Sequence, residues 1–305
     1  NLTIIVQGSA SSMSDGFWPH SAVYSGYEEI GSGVLVRGYN LLNSDTLIRT
    51  LTSSVNVSGA QGTIAHEFLH TLGLPDLYRN SGGSPVGRWS IMASTLCYLQ
   101  YPLEYCRELL GWIQIPEITK SGTYTIRVAS GEDKWGGAYP TALKLKTVQS
   151  DSQFFVVEYR KKEAGATYDS YIPSSGLLMY RVDNSIADHS NFRGENYIYV
   201  FRPDVSDPEK AMDMQGTAYL SENAALDIEK GETSYGSTNL DAPFTENTLY
   251  YAGGKNSGIA ISNAHYSEDG ELLVFDVEFA DMSGGEYWQQ YGPTMSGMKG
   301  AGASL

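Results

Sequence analysis

Two histidines and a glutamate in one short stretch are the residue types of a metal-dependent hydrolase. His66 and His70 are four positions apart, which places both imidazoles on one face of a helix, within reach of a single metal ion. Glu67 follows the first histidine directly. A carboxylate there can take a proton from a water that the metal activates. The stretch therefore predicts a zinc site with Glu67 as general base.

The third metal ligand is expected from the chain that follows the helix. Gly73 suits the left-handed position that ends a helix, and Pro75 cannot continue one. The chain must therefore turn back and bring Asp76 toward the imidazoles, leaving one position for water, as in catalytic zinc sites. Alternatively, the helix continues and Glu104 or Glu108 from a later helix ligates. A plain amphipathic helix with surface histidines is the non-functional alternative.

The helix needs other elements to position it. Residues 2–6 are an apolar, β-branched run typical of a buried strand, and residues 33–40 alternate enough for a second strand at the edge of a cleft. Residues 103–112 are amphipathic, and we expect this segment to form a helix that buries Leu109, Leu110 and Trp112.

The run HEFLHTLGLPDLY at residues 66–78, followed by GRWSIMAS at residues 87–94, resembles the M6 family of secreted metallopeptidases, the immune inhibitor A type. The resemblance implies a metzincin-like fold in which Met92 is the Met-turn methionine, an apolar floor below the metal that does not ligate it. Further matches at residues 18–20, 110–113, 157–160 and 176–183 extend the resemblance over about residues 2–183.

Three positions depart from the patterns of related enzymes. Leu69 stands where the family has glycine, and Ser90 where it has an acidic residue; neither contacts a predicted ligand. Astacin-like enzymes carry an oxyanion-stabilising tyrosine at the position of Ser94, and Tyr98 is the candidate for that role here. The family also implies that a signal, an inhibitory pro-segment and part of the catalytic domain precede the first residue.

The composition excludes several classes of partner. The 305 residues include 35 Asp plus Glu against 20 Lys plus Arg, which argues against nucleic acids and anionic membranes. No apolar run approaches a membrane span. The 22 tyrosines and 33 glycines are typical of strand-rich extracellular proteins. Cys97 and Cys106 are the two cysteines, and both a disulfide and two buried thiols remain open.

A change of hydrophobic period at Pro116, from about 3.6 to about 2 residues, divides the chain. Residues 1–115 are predicted to be the C-terminal portion of a zinc metallopeptidase catalytic domain, residues 116–282 an antiparallel β-sandwich, and residues 283–305 a flexible tail. The predicted fold class is thus α+β, with an N-terminally incomplete, metzincin-like domain before the sandwich. Strand candidates after Pro116 are residues 124–128, 142–148, 154–160, 177–182, 197–201, 248–251, 258–263 and 271–279.

Two oxygen-rich loops of the second domain are candidate sites for structural calcium. Neither has EF-hand spacing, so solvated turns are the alternative. The loops contain Asp183, Asn184, Asp188 and Asn191 in one case and Asp204, Asp207 and Glu209 in the other.

The sequence as a whole predicts a secreted endopeptidase with one catalytic zinc ion that acts on protein or peptide substrates. Its own cleaved N-terminal segment is a further expected partner, as in a zymogen. The alternative is a non-catalytic adhesin or carbohydrate-binding protein that keeps the zinc helix as a scaffold, and Glu67 argues against it because a scaffold needs no general base.

Overall fold

The computed structural model describes residues 1–10, 16–26, 28–45, 47, 57–81, 84–95, 99–202, 224–242 and 248–282. Within these ranges the chain is mostly β-structure, with thirteen strands and, among its α-helices, Val57–Thr71 and Glu104–Leu109. This content agrees with the α+β class. No helix of the described ranges is long and apolar enough to cross a membrane.

The first sheet supports the longer helix. It consists of β1 (Leu2–Val6), β2 (His20–Val23) and β3 (Gly38–Asn43). The central strand β3 pairs in parallel with β1 and antiparallel with β2. Helix α1 (Val57–Thr71) packs against β2 and β3. The strand at residues 2–6 is confirmed, but it is exposed, so the prediction that it is buried was wrong. The strand predicted over 33–40 begins later, at Gly38.

The remaining strands form two larger sheets. They are β4 (Glu117–Ile118), β5 (Gly122–Arg127), β6 (Ala142–Leu145), β7 (Gln153–Arg160), β8 (Gly176–Asp183), β9 (Ile198–Val200), β10 (Ala225–Leu226), β11 (Tyr235–Gly236), β12 (Ile259–Tyr266) and β13 (Leu272–Phe279). One sheet has the order β10-β8-β7-β6-β4, with β9 also paired to β8, and the other has the order β11-β12-β13-β5. Seven of the eight strands predicted after Pro116 are confirmed to within a few residues; residues 248–251 contain only an isolated bridge at Tyr250.

The six-stranded sheet is buried on both faces. One face shares a hydrophobic core with the four-stranded sheet, in which Phe155 packs with residues such as Phe275. The other face shares a core with the helical part of the chain, in which Val156 packs with residues such as Met92. Strands covered on both sides need apolar residues at successive positions, which explains the long buried runs of β7 and β8.

The second helix, α2 (Glu104–Leu109), buries a different face from the one predicted. Leu109 and Trp112 are 49% and 54% exposed, whereas Tyr105 and Cys106 are buried. The start of the helix is fixed by the sheet, because the backbone N–H of Glu104 donates to the Glu158 carboxylate at 2.8 Å. That anchor decides which face points inward. The prediction of buried Leu109 and Trp112 was wrong, whereas Leu110 is partly buried against the core.

Several predicted features lie outside the described residues. These are Cys97, Tyr98, the tail at residues 283–305 and the oxygen-rich loop at residues 204–209. Cys106 is a free, fully buried thiol, and burial raises its pKa.

A buried cluster of charges joins the six-stranded sheet to the helical part. The Arg160 guanidinium, fully buried, lies 3.0 Å from the Glu158 carboxylate and 2.6 Å from the Asp169 carboxylate. It also donates to the carbonyl oxygen of Trp89 at 2.8 Å. Burial raises the pKa of Glu158 to about 7 although the Arg160 charge opposes this. Through Trp89, the cluster fixes the segment that leads to Met92.

Replacing Arg160 with Met should lower the free energy of unfolding by about 3–5 kcal/mol, because Glu158 and Asp169 would then be buried without their cation. The matched control is Lys161→Met. Lys161 pairs with Glu271 at 2.9 Å and is 27% exposed, so we expect a change of about 0–1 kcal/mol. Denaturant unfolding followed by tryptophan fluorescence measures both, and equal losses would contradict the anchoring role of Arg160.

Candidate metal centre

The C-terminal end of α1 carries His66, Glu67 and His70, and a tight turn follows. The helix ends at Thr71, and Gly73 adopts a positive φ of 107°, which glycine tolerates without steric cost. The backbone N–H of Leu74 returns to the carbonyl of Leu69 at 3.1 Å. The predicted helix stop is confirmed, and the chain reverses toward the histidines.

The reversal brings Asp76 to the two imidazoles. The Nε2 atoms of His66 and His70 are 3.1 Å apart. Asp76 Oδ1 lies 3.3 Å from Nε2 of His66 and 3.1 Å from Nε2 of His70. Ligands of a tetrahedral zinc ion, with bonds of about 2.0–2.1 Å, are separated by about 3.3 Å. The three atoms therefore have the spacing that a zinc ion requires.

Backbone carbonyls fix the tautomer of both imidazoles. His66 Nδ1 lies 2.9 Å from the carbonyl oxygen of Ile91, and His70 Nδ1 lies 2.7 Å from that of Leu74. A carbonyl can only accept, so each Nδ1 carries a proton, and Nε2 is the ring nitrogen that each neutral imidazole can offer to a metal ion. Three electron-pair donors at such distances repel one another unless a proton or a metal ion lies between them, so the donor set fits a metal ion.

Glu67 lies beside this triangle. Its side chain is buried, and its potential ligand atom lies within 4.8 Å of those of His66 and His70. Its Oε2 atom accepts no hydrogen bond from the described part of the chain. Burial raises the pKa of Glu67, and the two histidines only partly oppose this. Because Asp76 already closes the triangle, Glu67 remains available as an acid–base group.

The charges of Asp76 and His70 are strongly linked. Burial alone would raise the pKa of Asp76, but the hydrogen bonds and charges of His66 and His70 outweigh it and lower the pKa to about 2. Burial alone would lower the pKa of His70, but Asp76 and the carbonyl of Leu74 raise it. A proton on His70 is thus favoured by the same carboxylate that a metal ion would use.

The alternative ligands Glu104 and Glu108 are engaged elsewhere. Glu104 is fully buried and pairs with Arg107 at 2.5 Å. Glu108 pairs with Lys144 at 2.5 Å. The structure therefore brings Asp76, and neither of these glutamates, to the histidines.

The segment around Met92 contacts His66 and the backbone directly after Asp76. The carbonyl of Ile91 accepts from His66, as described, and the carbonyl of Met92 accepts from the backbone N–H of Leu77 at 2.9 Å. The Met92 side chain is fully buried in the core. Ser90 Oγ accepts the N–H of Met92 at 3.2 Å, so the serine at this departure from the family pattern supports the turn.

An open cleft of about 890 Å³ leads to the triangle. Strand β2 lines it, including His20, whose ring lies 2.7 Å from the carbonyl of Trp18 and 3.3 Å from the Tyr39 hydroxyl. The lining residue Arg37 belongs to the segment 33–40 that was predicted at the cleft edge, whereas Tyr78, Asp188, Ser190 and Phe192 were not predicted to line the cleft. The position of Tyr78 two residues after Asp76 could have indicated that it lines the cleft. Residues 188–192 gave no such indication because they are far from Asp76 along the chain.

Residues 6–98 match the sequence model of the immune inhibitor A peptidase M6, catalytic domain. This segment belongs to the M6 peptidase family. The M6 segment, residues 6–98, contains the two histidines, Glu67, Asp76 and Met92, and the match supports a metallopeptidase activity with a metal cofactor. No curated protein and no solved structure compared with the chain matches it.

Replacing Asp76 with Ala should remove tightly bound zinc from the M6 segment, because it takes away one of three protein ligands. The matched control is Glu108→Ala, which removes a carboxylate that pairs with Lys144 and should leave the zinc content unchanged. Metal analysis of the purified variants measures both. Zinc retained in the Asp76 variant would contradict the assignment. Zinc lost from the Glu108 variant as well would then favour Glu108 as the third ligand.

The zinc affinity should fall as the pH is lowered, because ligation needs a neutral imidazole. Asp76, with its pKa of about 2, stays ionised, so the loss should follow His70, whose raised pKa lets protons compete already above about pH 6.5. Chelator competition at several pH values measures the affinity. Imidazole titration by NMR in metal-free protein provides the check, since Asp76→Asn should lower the pKa of His70. An affinity independent of pH in this range would contradict the ligand set.

Proposed function

We propose that the protein is a zinc-dependent endopeptidase, with His66, His70 and Asp76 as zinc ligands and Glu67 as general base. One observation carries the proposal. Two imidazole nitrogens and a carboxylate oxygen lie 3.1 to 3.3 Å apart, beside a buried glutamate, at the bottom of an open cleft. This arrangement has the ligands and the open side that a catalytic zinc site requires.

Zinc, when bound, supplies a Lewis acid that polarises the scissile carbonyl and makes water more acidic. The proton transfers fall to Glu67. Its carboxylate takes the proton of the attacking water and then delivers it to the leaving amine. Burial raises the pKa of Glu67, which makes the carboxylate a better base. The raised pKa also lies closer to neutral pH, where the group can both accept and donate a proton.

Strand β2 is the proposed docking edge for an extended peptide. It lies at one edge of the first sheet, and all four of its residues line the cleft. An extended peptide can add to such an edge through backbone hydrogen bonds. The segment 33–40, which was predicted at the cleft edge, contributes Arg37 and Gly38 to the lining, so we place the peptide along β2 instead.

The wider architecture is part of the proposal. We assign residues 1–115 to a metzincin-like catalytic domain and residues 116–282 to a β-sandwich, which is supported by the core that the two larger sheets share. Secretion, zymogen activation and a bound N-terminal segment remain predictions, as does structural calcium. In the loop at residues 183–191, Asp183 accepts from Ser185, and the Asn191 amide binds backbone groups, so these two side chains have protein partners.

Replacing Glu67 with Gln should lower peptide-bond cleavage about 10²–10⁴-fold while zinc stays bound, because the amide cannot accept the proton. The matched control is Glu117→Gln, a substitution at an exposed glutamate that pairs with Lys146, which should keep full activity. Casein cleavage with and without a chelator, beside metal analysis, measures the effect. Full activity in the Glu67 variant would contradict the proposed mechanism. Zinc binding without cleavage by the parent protein would favour the non-catalytic scaffold.

A further inference from the structure

A loop far along the chain holds the backbone of Asp76. Ser190 Oγ donates to the carbonyl oxygen of Asp76 at 2.9 Å, although the two residues are 114 positions apart. The backbone N–H of Asn191 donates to the same oxygen at 3.1 Å. Two donors from the 188–192 loop, which connects β8 to β9, thus fix the peptide group of the proposed third ligand.

The Asn191 side chain fixes the next peptide group. It is fully buried, and its Nδ2 donates to the carbonyls of Leu77 at 3.1 Å and Ile198 at 2.8 Å. Its Oδ1 accepts the N–H of Ile198 at 3.0 Å. Since Ile198 begins β9, the loop links residues 76–77 to the edge of the six-stranded sheet.

Aromatic contacts extend the same support to His66. The Phe192 ring meets the Tyr78 ring edge to face, with centroids 5.9 Å apart. The Tyr78 ring in turn stacks beside His66 at 6.3 Å. The carbonyl of Phe192 accepts the N–H of Asn80 at 2.9 Å. The 188–192 loop therefore contacts the residues on both sides of Tyr78.

The backbone of the loop is held in an uncommon conformation. His189 has a positive φ of 48°, which non-glycine residues adopt rarely and only where the surroundings determine it. Its ring stacks on Tyr197 at 5.2 Å. This turn directs the following Ser190 toward Asp76.

We propose that the 188–192 loop is a positioning element of the metal centre, in which Ser190 and Asn191 hold Asp76 at the imidazoles and so strengthen zinc binding. The inference rests on the proposed zinc site. On the other side, the carbonyl of Met92 holds the N–H of Leu77 at 2.9 Å, so residues 76–77 are fixed from both directions. The loop lies outside the M6 segment, and its role is that of partners that orient metal ligands.

The test compares three variants of the full chain. Ser190→Ala removes the hydroxyl that holds Asp76 and should weaken zinc binding about 10-fold, at the lower end of the effect of such orienting partners. Ser190→Thr keeps a hydroxyl and should restore the affinity. Ser185→Ala is the matched control, since its hydroxyl in the same connection donates to Asp183. The readouts are zinc affinity by chelator competition, the visible spectrum of the cobalt-substituted protein and the Tm of the metal-free protein.

The inference holds if only Ser190→Ala loses affinity and alters the cobalt spectrum while its metal-free Tm equals that of Ser185→Ala. Equal zinc affinities in the two alanine variants would overturn it. Equal losses in both would also overturn it, because they would indicate a general effect on the loop. A parent protein that binds no zinc would refute the proposed function itself, whereas a parent that binds zinc and cleaves casein would confine any failure to the loop.

Discussion

Two backbone carbonyls, those of Ile91 and Leu74, determine what the candidate site can do. By accepting the Nδ1 protons of His66 and His70, they orient both rings and leave Nε2 as the only nitrogen free to ligate. One carbonyl belongs to the turn that Gly73 permits, and the other to the segment before Met92. The glycine turn and the Met92 segment are therefore parts of the candidate metal centre although neither supplies a proposed ligand.

These carbonyls depend in turn on the six-stranded sheet. Arg160 on β7 holds the carbonyl of Trp89, two residues before Ile91, and the connection from β8 to β9 holds Asp76 and Leu77. The sheet can fix both because it is packed on each face, with one core toward the helical part and another toward the four-stranded sheet. A well-packed layer changes shape little, so it is a suitable support for a site whose atoms must meet within a few tenths of an ångström.

The sequence could predict the parts of the site that depend on local geometry. The spacing of His66 and His70, the helix stop at Gly73 and the return to Asp76 all fall within a few turns of chain, where backbone rules act directly. The long strands of the larger sheets were likewise predictable from their period. The short strand β2 was missed because four mixed residues carry no period, and the buried face of α2 was wrong because Glu158, far away in sequence, sets its orientation.

The contact between Ser190 and Asp76 could not have been predicted from either residue. The contact forms because the loop between β8 and β9 lies beside Asp76. The position of that loop depends on the strand order and on the packing of the whole sheet. Sequence patterns describe the neighbours of a residue along the chain, whereas this contact joins positions 114 residues apart. For the same reason, the family match covers the proposed ligands and the proposed general base but does not extend to the residues that hold Asp76 in place.

Because Ser190 and Asn191 follow Asp76 by more than a hundred residues, the candidate metal centre is assembled in stages during synthesis. During synthesis, the ribosome releases the histidines, Glu67 and Asp76 well before it releases the connection between β8 and β9. A nascent chain that has released Asp76 but not this connection has every proposed ligand, but Asp76 lacks the donors that fix its peptide group. On the proposed role of the loop, zinc binding reaches its full strength only when translation has passed Asn191 and the six-stranded sheet has formed. The nascent chain would thus bind zinc more weakly until the connection between β8 and β9 has been synthesised.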